Sequence, residues 1–313
     1  MPPSVSVVIC TRDRPSLLRE CLRALLQVEY PAFEVVIVDN NGGDFDAFAC
    51  KDTRVRTVHE PRRGLSRARN RGIRSARYDV LAFIDDDVIV ERRWLGAVAE
   101  ALEDDSIAGV TGLVVAAELE TPAQREFEWY GGMGKGTSRR LLCGAAATAR
   151  QAIRVQTIGT GANMTFRRRV FEQVGGFDEA LGAGTVTLGA EDLDFFHRVL
   201  RAGLCIRYEP AAQVRHKHRR TIPELRSQIF ANGVAYSVYL MRIWSRRSVP
   251  RADLALSAAL WFAGRLGTAL FRSVFRPGVR CQLAWDEVRG ALHAPGAYRL
   301  AYRRVPAPEQ QLR

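Results

Sequence analysis

The stretch "VLAFIDDDVIV" (residues 80–90) carries a β-branched and aromatic run straight into three consecutive carboxylates, Asp85, Asp86 and Asp87. A short run of this kind, without Gly or Pro, reads as a buried strand. Two unit charges about 4 Å apart repel by roughly 4 kcal/mol at an intermediate dielectric, so three carboxylates at a strand end imply a nearby cation. Side chains alternate along a strand, which predicts Asp85 and Asp87 on one face and Asp86 on the other. Such a pair suits a hard divalent cation, and that cation would itself bridge a diphosphate. Taken alone, an Asp-x-Asp is more often a solvated acidic turn. Further on, Glu191 and Asp192 open a helical pattern, where acidic side chains gain from the helix dipole whether or not they do chemistry. His216 and His218 follow a late strand pattern and share a face if the strand continues.

The elements that must position these groups are legible in outline. "SVSVVIC" (4–10) is a strand followed by "TRDRP" and a helix with apolar residues at Leu17, Leu18, Cys21, Leu22, Leu25 and Leu26. A second strand, "FEVVIVDNN" (33–41), and a short one near 55–60 precede a basic helix at 64–76 and then the acidic strand. This alternation argues for an open sheet of Rossmann type flanked by helices, where ligands bind beyond the carboxyl ends of the strands. Thr11, Arg12, Asp39 and Asp85–Asp87 fall at such ends. Residues 121–158, with "YGGMGKG" and an Ala-rich stretch, read as a loop region over or beside the site. A short strand and helix over "GANMTFRRRVFEQV", a helix over 189–203 and a final strand with a basic, histidine-containing exit complete this part.

From Pro223 onward long helices are predicted. Residues 254–271 are apolar almost all round apart from Arg265. Eighteen helical residues reach about 27 Å, marginal for a hydrocarbon core of about 30 Å, so this helix reads as lying on a membrane or docked rather than spanning. The net charge is +12, and residues 224–313 hold 14 arginines against 5 acidic side chains. A basic tail admits nucleic acid, anionic lipid or a phosphorylated substrate. No nucleic-acid module is recognisable, and carboxylates at the sheet edge would repel phosphate without a metal. The six cysteines show no C-x-x-C spacing and are expected to be reduced packing residues. The first ten residues lack the apolar region of a secretory signal, so a cytosolic start is expected.

The ordered set "VSVVICTRDRP", "VVIVDN", "GLSRARNRGI", "LAFIDDD", "GANMTFRR", "GGFDE", "AEDLDFFHRVLRAG" and "VRHKH" resembles glycosyltransferase family 2 on the GT-A fold, from residue 4 to about residue 220. The resemblance implies a catalytic domain over 1–222 and a helical, basic region over 223–313 that contacts membrane or acceptor. It implies an inverting, metal-dependent transfer from a nucleoside-diphosphate sugar to a hydroxyl acceptor. Asp85 and Asp87 would hold Mn²⁺ or Mg²⁺, joined by His216 or else His218. Imidazole tilts that choice toward manganese.

Thr11, Arg12, Asp39, Arg69, Asn70, Asp85 and Asp86 would cradle the nucleotide, with a solvated helix face as the alternative for Arg69. Gly161, Ala162 and Asn163 would line the sugar and acceptor region. Asp192, beside Glu191, would be the general base. The Q-x-x-R-W signature of processive synthases is absent, so transfer of one or few sugars is expected, with an acceptor on a membrane lipid phosphate explaining the arginines and the apolar helix together. The expected location is the inner face of the cell membrane. The rivals are a sugar nucleotidyltransferase, which would normally place a Gly-rich loop where "CTRDRP" has no glycine, and a basic nucleic-acid-binding protein.

Overall fold

The computed structural model describes residues 2–40, 52–144 and 147–303, so residue 41 of the second predicted strand, Cys50 and the Ala145–Ala146 part of the Ala-rich stretch lie outside the described residues. Strands β1 (Val5–Thr11), β2 (Phe33–Asp39), β3 (Val55–His59) and β4 (Val80–Asp85) form a parallel half-sheet in the order β3-β2-β1-β4. Helices α1 (Pro15–Leu25) and α2 (Leu65–Ser75) are two of its crossovers. Strands β1, β2 and β4 are mainly apolar on both faces and both faces are covered, whereas the edge strand β3 is only partly buried. Val5, Val7 and Ile9 join one buried cluster with Leu18 and Leu25 of α1, while Val8 joins the other with Ala68 of α2.

Beyond β4 the sheet turns mixed. Strand β8 (Asn163–Arg167) lies antiparallel to β4, and β6 (Ile107–Ala116) antiparallel to β8. Strand β9 (Cys205–His216) runs parallel to β6 and takes β5 (Val88–Val90) and β7 (Arg140–Cys143) as antiparallel partners. Helix α3 (Trp94–Ala101) follows β5, α6 (Arg168–Val174) follows β8, and α7 (Glu191–Arg201) precedes β9. Rings of Phe83, Phe166, Phe171, Phe177 and Phe195 pack edge to face, tilted and stacked behind α7, fixing its start against β4 and β8.

Two expectations are corrected. The 121–158 region is not mainly loop: α4 (Pro122–Tyr130), β7 and α5 (Ala149–Ile153) occupy much of it. Both helices begin with a capping box, Thr121 with Gln124 and Thr148 with Gln151. The cysteines are not all reduced, because Cys143 on β7 and Cys205 on β9 face each other in register and form a disulfide.

The C-terminal third forms α8 (Ile222–Ser245), α9 (Arg251–Phe275) and α10 (Val279–Arg303). The boundary predicted at 222–223 coincides with the Thr221 cap of α8, yet it does not separate two cores. Val234, Val238, Tyr239 and Ile243 of α8 and Ala294 and Ala297 of α10 belong to the same buried cluster as Phe195 and Leu200 of α7. Helices α8 and α10 meet backbone to backbone: a Cβ at Gly233 would collide with the Glu287 carbonyl oxygen, and one at Gly290 with that of Phe230. Much of the arginine excess is consumed internally. Arg242 pairs with Asp178 at 2.9 Å, Arg246 with Asp194 at 2.7 Å, Arg226 with Asp286 at 2.7 Å and Arg280 with Glu126 at 2.6 Å.

Candidate active site

Strand β4 ends at Asp85, and Asp86–Asp87 turn the chain into β5. Asp85 and Asp87 therefore meet across a turn rather than through strand alternation. His216, the last residue of β9, is brought beside them because β5 pairs with β9 at Val88–His216. One ligand atom from each of Asp85, Asp87 and His216 lies within 4.8 Å of the others. His216 Nε2 stands 3.2 Å from Asp87 Oδ1. Adjacent ligands on an ion with bonds of about 2.1 Å sit about 3 Å apart, so this spacing suits a shared cation. Asp87 Oδ1 is also buried with no hydrogen-bond partner among the described residues, the state of a lone pair reserved for a ligand. These three residues fit a divalent metal. The histidine ambiguity resolves as well, for His218 turns to Glu128 of α4 at 2.7 Å.

Protein cations offset the carboxylate repulsion. Arg14 Nη1 lies 3.2 Å from both Asp86 Oδ1 and Asp87 Oδ2. Burial opposes charge on Asp87, but His216 and Arg14 overcome it and hold the carboxyl below its usual range. His216 is raised in turn, since Asp87 outweighs its burial. Asp86 goes the other way: burial and the Asp87 charge push it up to about 6. Its Oδ2 accepts the Thr11 hydroxyl proton at 2.7 Å. Thr11 and Asp86 thus brace β1 against the turn.

Arg69 is not on a solvated face; it is 3% exposed. Its guanidinium donates to Glu191 Oε1 at 2.8 Å, to the Gly161 carbonyl at 3.1 Å and to Asp85 Oδ1 at 3.3 Å. It ties the acidic turn to the start of α7. Burial and the Asp192 charge raise Glu191 above the usual carboxylate range, with Arg69 opposing, so Glu191 serves as the buried partner of Arg69. Asn70 is spent on the backbone of Phe177, donating to its carbonyl at 2.9 Å and accepting from its N–H at 2.8 Å. Asn163 is likewise a buried brace: its Oδ1 accepts from Trp94 Nε1 at 3.0 Å and its Nδ2 donates to the Ala212 carbonyl at 2.8 Å. Neither Asn70 nor Asn163 is among the residues that line the adjoining cavity. Arg12 is partly exposed after β1, and Asp39 is buried with His59 Nδ1 at 3.2 Å.

A cavity of about 710 Å³ connects the catalytic corner to the C-terminal helices. Asp85, Arg69, Gly161, Ala162 and Asp192 line one end, Tyr236, Trp261 and Arg265 the other. Asp192 sits in the first turn of α7 with Oδ2 accepting from the Gly161 N–H and Oδ1 from the Leu193 N–H, each at 2.8 Å. Gly161 permits this approach, since a Cβ there would lie 2.9 Å from Arg69 and 3.2 Å from Asp192. Sequence reasoning missed Arg14, Lys135, Arg150 and Arg154, the last three of which also line the cavity. Lys135 is lowered by burial, with Asp192 partly restoring it.

The profile of the glycosyl transferase family 2 matches residues 6–175, and the chain belongs to that family. Its relatives include the pre-mycofactocin glycosyltransferase of Mycobacterium tuberculosis, 28% identical over 286 residues, 87% of this chain. The chain spans only 56% of that relative's length. The glucosyl-dolichyl phosphate glucuronosyltransferase of Haloferax volcanii is 30% identical over 227 residues, 68% of this chain and 69% of its own. Among solved structures, a mannosyltransferase from Pyrobaculum calidifontis in complex with GDP-Man and Mn²⁺ superposes with a TM-score of 0.61 at 18% identity, over 94% of this chain and 88% of its own. That likeness establishes the GT-A fold. Membership of that family runs against the nucleotidyltransferase reading.

Proposed function

We propose that this enzyme is inverting and metal-dependent, moving one sugar from a nucleoside-diphosphate sugar to a hydroxyl of an acceptor held at a membrane surface. The observation that carries the reading is one continuous site with Asp85, Asp87 and His216 at its acidic corner and Asp192 in the adjoining cavity. Asp85, Asp87 and His216 would hold a divalent ion, which would supply neutralising charge for the departing diphosphate. Asp192, held by two backbone N–H groups, takes the acceptor hydroxyl proton, and attack from its side inverts the anomeric carbon. General-base help of this kind is worth roughly 10²–10⁴ in rate. Arg69 and Glu191 fix Asp85 relative to Asp192, and so the distance between leaving group and base. Mn²⁺ with GDP-mannose, the ligands of the Pyrobaculum enzyme, is the first donor pair to test.

A lipid-linked acceptor is supported by the name of the Haloferax relative and by α9. Among the described residues α9 is the one helix long and apolar enough to cross a membrane by length and composition. Its outer face, through Leu256, Leu260, Phe271 and Val274, is an exposed apolar stripe, with Val274 72% exposed. Arg265 points inward to Glu287 at 3.4 Å. One side docked on α10 and one side apolar is the form of a helix lying in the interface. These features support a peripheral position at the inner face of the cell membrane. The test is Asp192→Asn: nucleoside-diphosphate binding is retained, turnover falls by at least about 100-fold, and wild-type product shows the inverted anomer by NMR. Most of the kcat surviving in the variant, or a retained anomer, refutes the reading.

A further inference from the structure

A second cavity, of about 520 Å³, shares a wall with the first. Arg150 and Arg154 line both. Arg140 completes the polar side, and Leu141, Leu142 and Ile158 supply an apolar side. No acidic residue lines this cavity. In the first cavity the other arginines are matched, Arg69 with Asp85 and Glu191, Arg265 with Glu287. Arg150 and Arg154 have no acidic partner among the described residues.

All three arginines are exposed, but the backbone that carries Arg150 and Arg154 is held in place. The inner face of α5 is locked by His197 Nδ1 at 2.7 Å from the Ala152 carbonyl and by the Tyr239 hydroxyl donating to the Ile153 carbonyl at 3.0 Å. Residues four apart on a helical turn share a face, so Arg150 and Arg154 project together from the other side. Arg140 is steadied by its guanidinium over the Tyr208 ring at 4.8 Å and a donor bond to the Lys135 carbonyl at 2.6 Å. The Thr148 hydroxyl and the Gln151 side-chain oxygen are consumed by the α5 capping box, which leaves the guanidinium groups and the Gln151 amide nitrogen as the donors on offer.

We infer that Arg140, Arg150 and Arg154 form an acceptor-side site for the phosphate of a lipid-linked acceptor, separate from the diphosphate corner at Asp85. The inference rests on the membrane-acceptor reading above. Guanidinium forks bind phosphate oxygens bidentately, and the flanking leucines and isoleucine receive the first carbons of an apolar stem. Helix α5 packs against α9, so the site opens beside the face assigned to the membrane.

The experiment measures binding of decyl phosphate, decanol and inorganic phosphate to the full chain by calorimetry, with Mn²⁺ and GDP binding measured in parallel. Decyl phosphate is expected to bind at least about tenfold tighter than decanol, and the double variant Arg150→Gln/Arg154→Gln to lose at least about tenfold, since each charge-assisted bond is worth that order. Arg150→Lys/Arg154→Lys should keep part of the affinity and bind GDP with Mn²⁺ normally. Equal binding of decyl phosphate to wild type and the Gln variant overturns the site. Inorganic phosphate binding as tightly as decyl phosphate overturns its assignment to a lipid. Failure of GDP and Mn²⁺ to bind wild type would instead strike the donor reading and leave the decyl phosphate result standing.

Discussion

Arg69→Met removes the cation that three acidic side chains share. Arg69 contacts Glu191 at 2.8 Å and Asp85 at 3.3 Å and stabilises Asp192 from nearby. Methionine fills most of the stem volume, so the dominant loss is electrostatic. Removing one partner of a buried ion pair costs about 3–5 kcal/mol, because the remaining charge is left uncompensated. Two charge-assisted bonds at about 1.5–3 kcal/mol each give a similar figure. For a chain of this size about 1 kcal/mol moves Tm by about 2 °C, so a fall of about 6–10 °C is expected by differential scanning fluorimetry.

The loss must also depend on pH. Glu191 already sits above the usual carboxylate range in the folded protein, and Arg69 is what restrains the rise. Without Arg69 the folded state binds a proton more tightly than the unfolded chain. Relative to wild type the destabilisation from Glu191 is then small while this carboxyl is protonated in both folded proteins, grows as pH rises through the wild-type folded value of about 7, and is constant above the higher value of the variant. A Tm within about 2 °C of wild type at pH 9, or a deficit that does not shrink between pH 9 and pH 5.5, refutes the claim that Arg69 is a structural cation.

Asp87→Asn should abolish the stabilisation by GDP with Mn²⁺, a loss of about 2.7 kcal/mol at a ligand concentration a hundred times Kd, read as a vanished thermal shift. Asn163→Leu should destabilise by about 1–3 kcal/mol in urea unfolding, because Trp94 Nε1–H and the Ala212 carbonyl lose their buried partner, with donor affinity unchanged. Leu256→Glu with Val274→Glu on the outer face of α9 should release the protein from anionic vesicles in a flotation assay and leave Tm within about 1 °C, since surface changes away from packed features cost little.

The parts of the site that local pattern can encode were legible. The apolar run into Asp85–Asp87 announces a strand end, and the alternation of strands and helices places that end at the ligand-binding edge. His216 became legible only through the family resemblance. What stayed hidden was long-range. Arg69 lies on a helix whose buried face is Ser66, Ala68, Arg69 and Gly72, a polar set that defeats any reading by hydrophobic periodicity. Its partner Glu191 is 122 residues away. The Cys143–Cys205 pair, 62 residues apart, offers no spacing signature either. In 121–158 the Thr-x-x-Gln capping boxes were present in the sequence, but the glycines of "YGGMGKG" dominated the reading.

The interlock of Gly233 with Glu287 and of Gly290 with Phe230 has a consequence for how such an enzyme can diversify. With two helices locked main chain to main chain, the outer clamp of the cleft is rigid, and no residue larger than glycine is tolerated at either crossing. New acceptor preferences must then come from the lining of the cleft and from the outward side of α9, which can be rewritten without disturbing the frame.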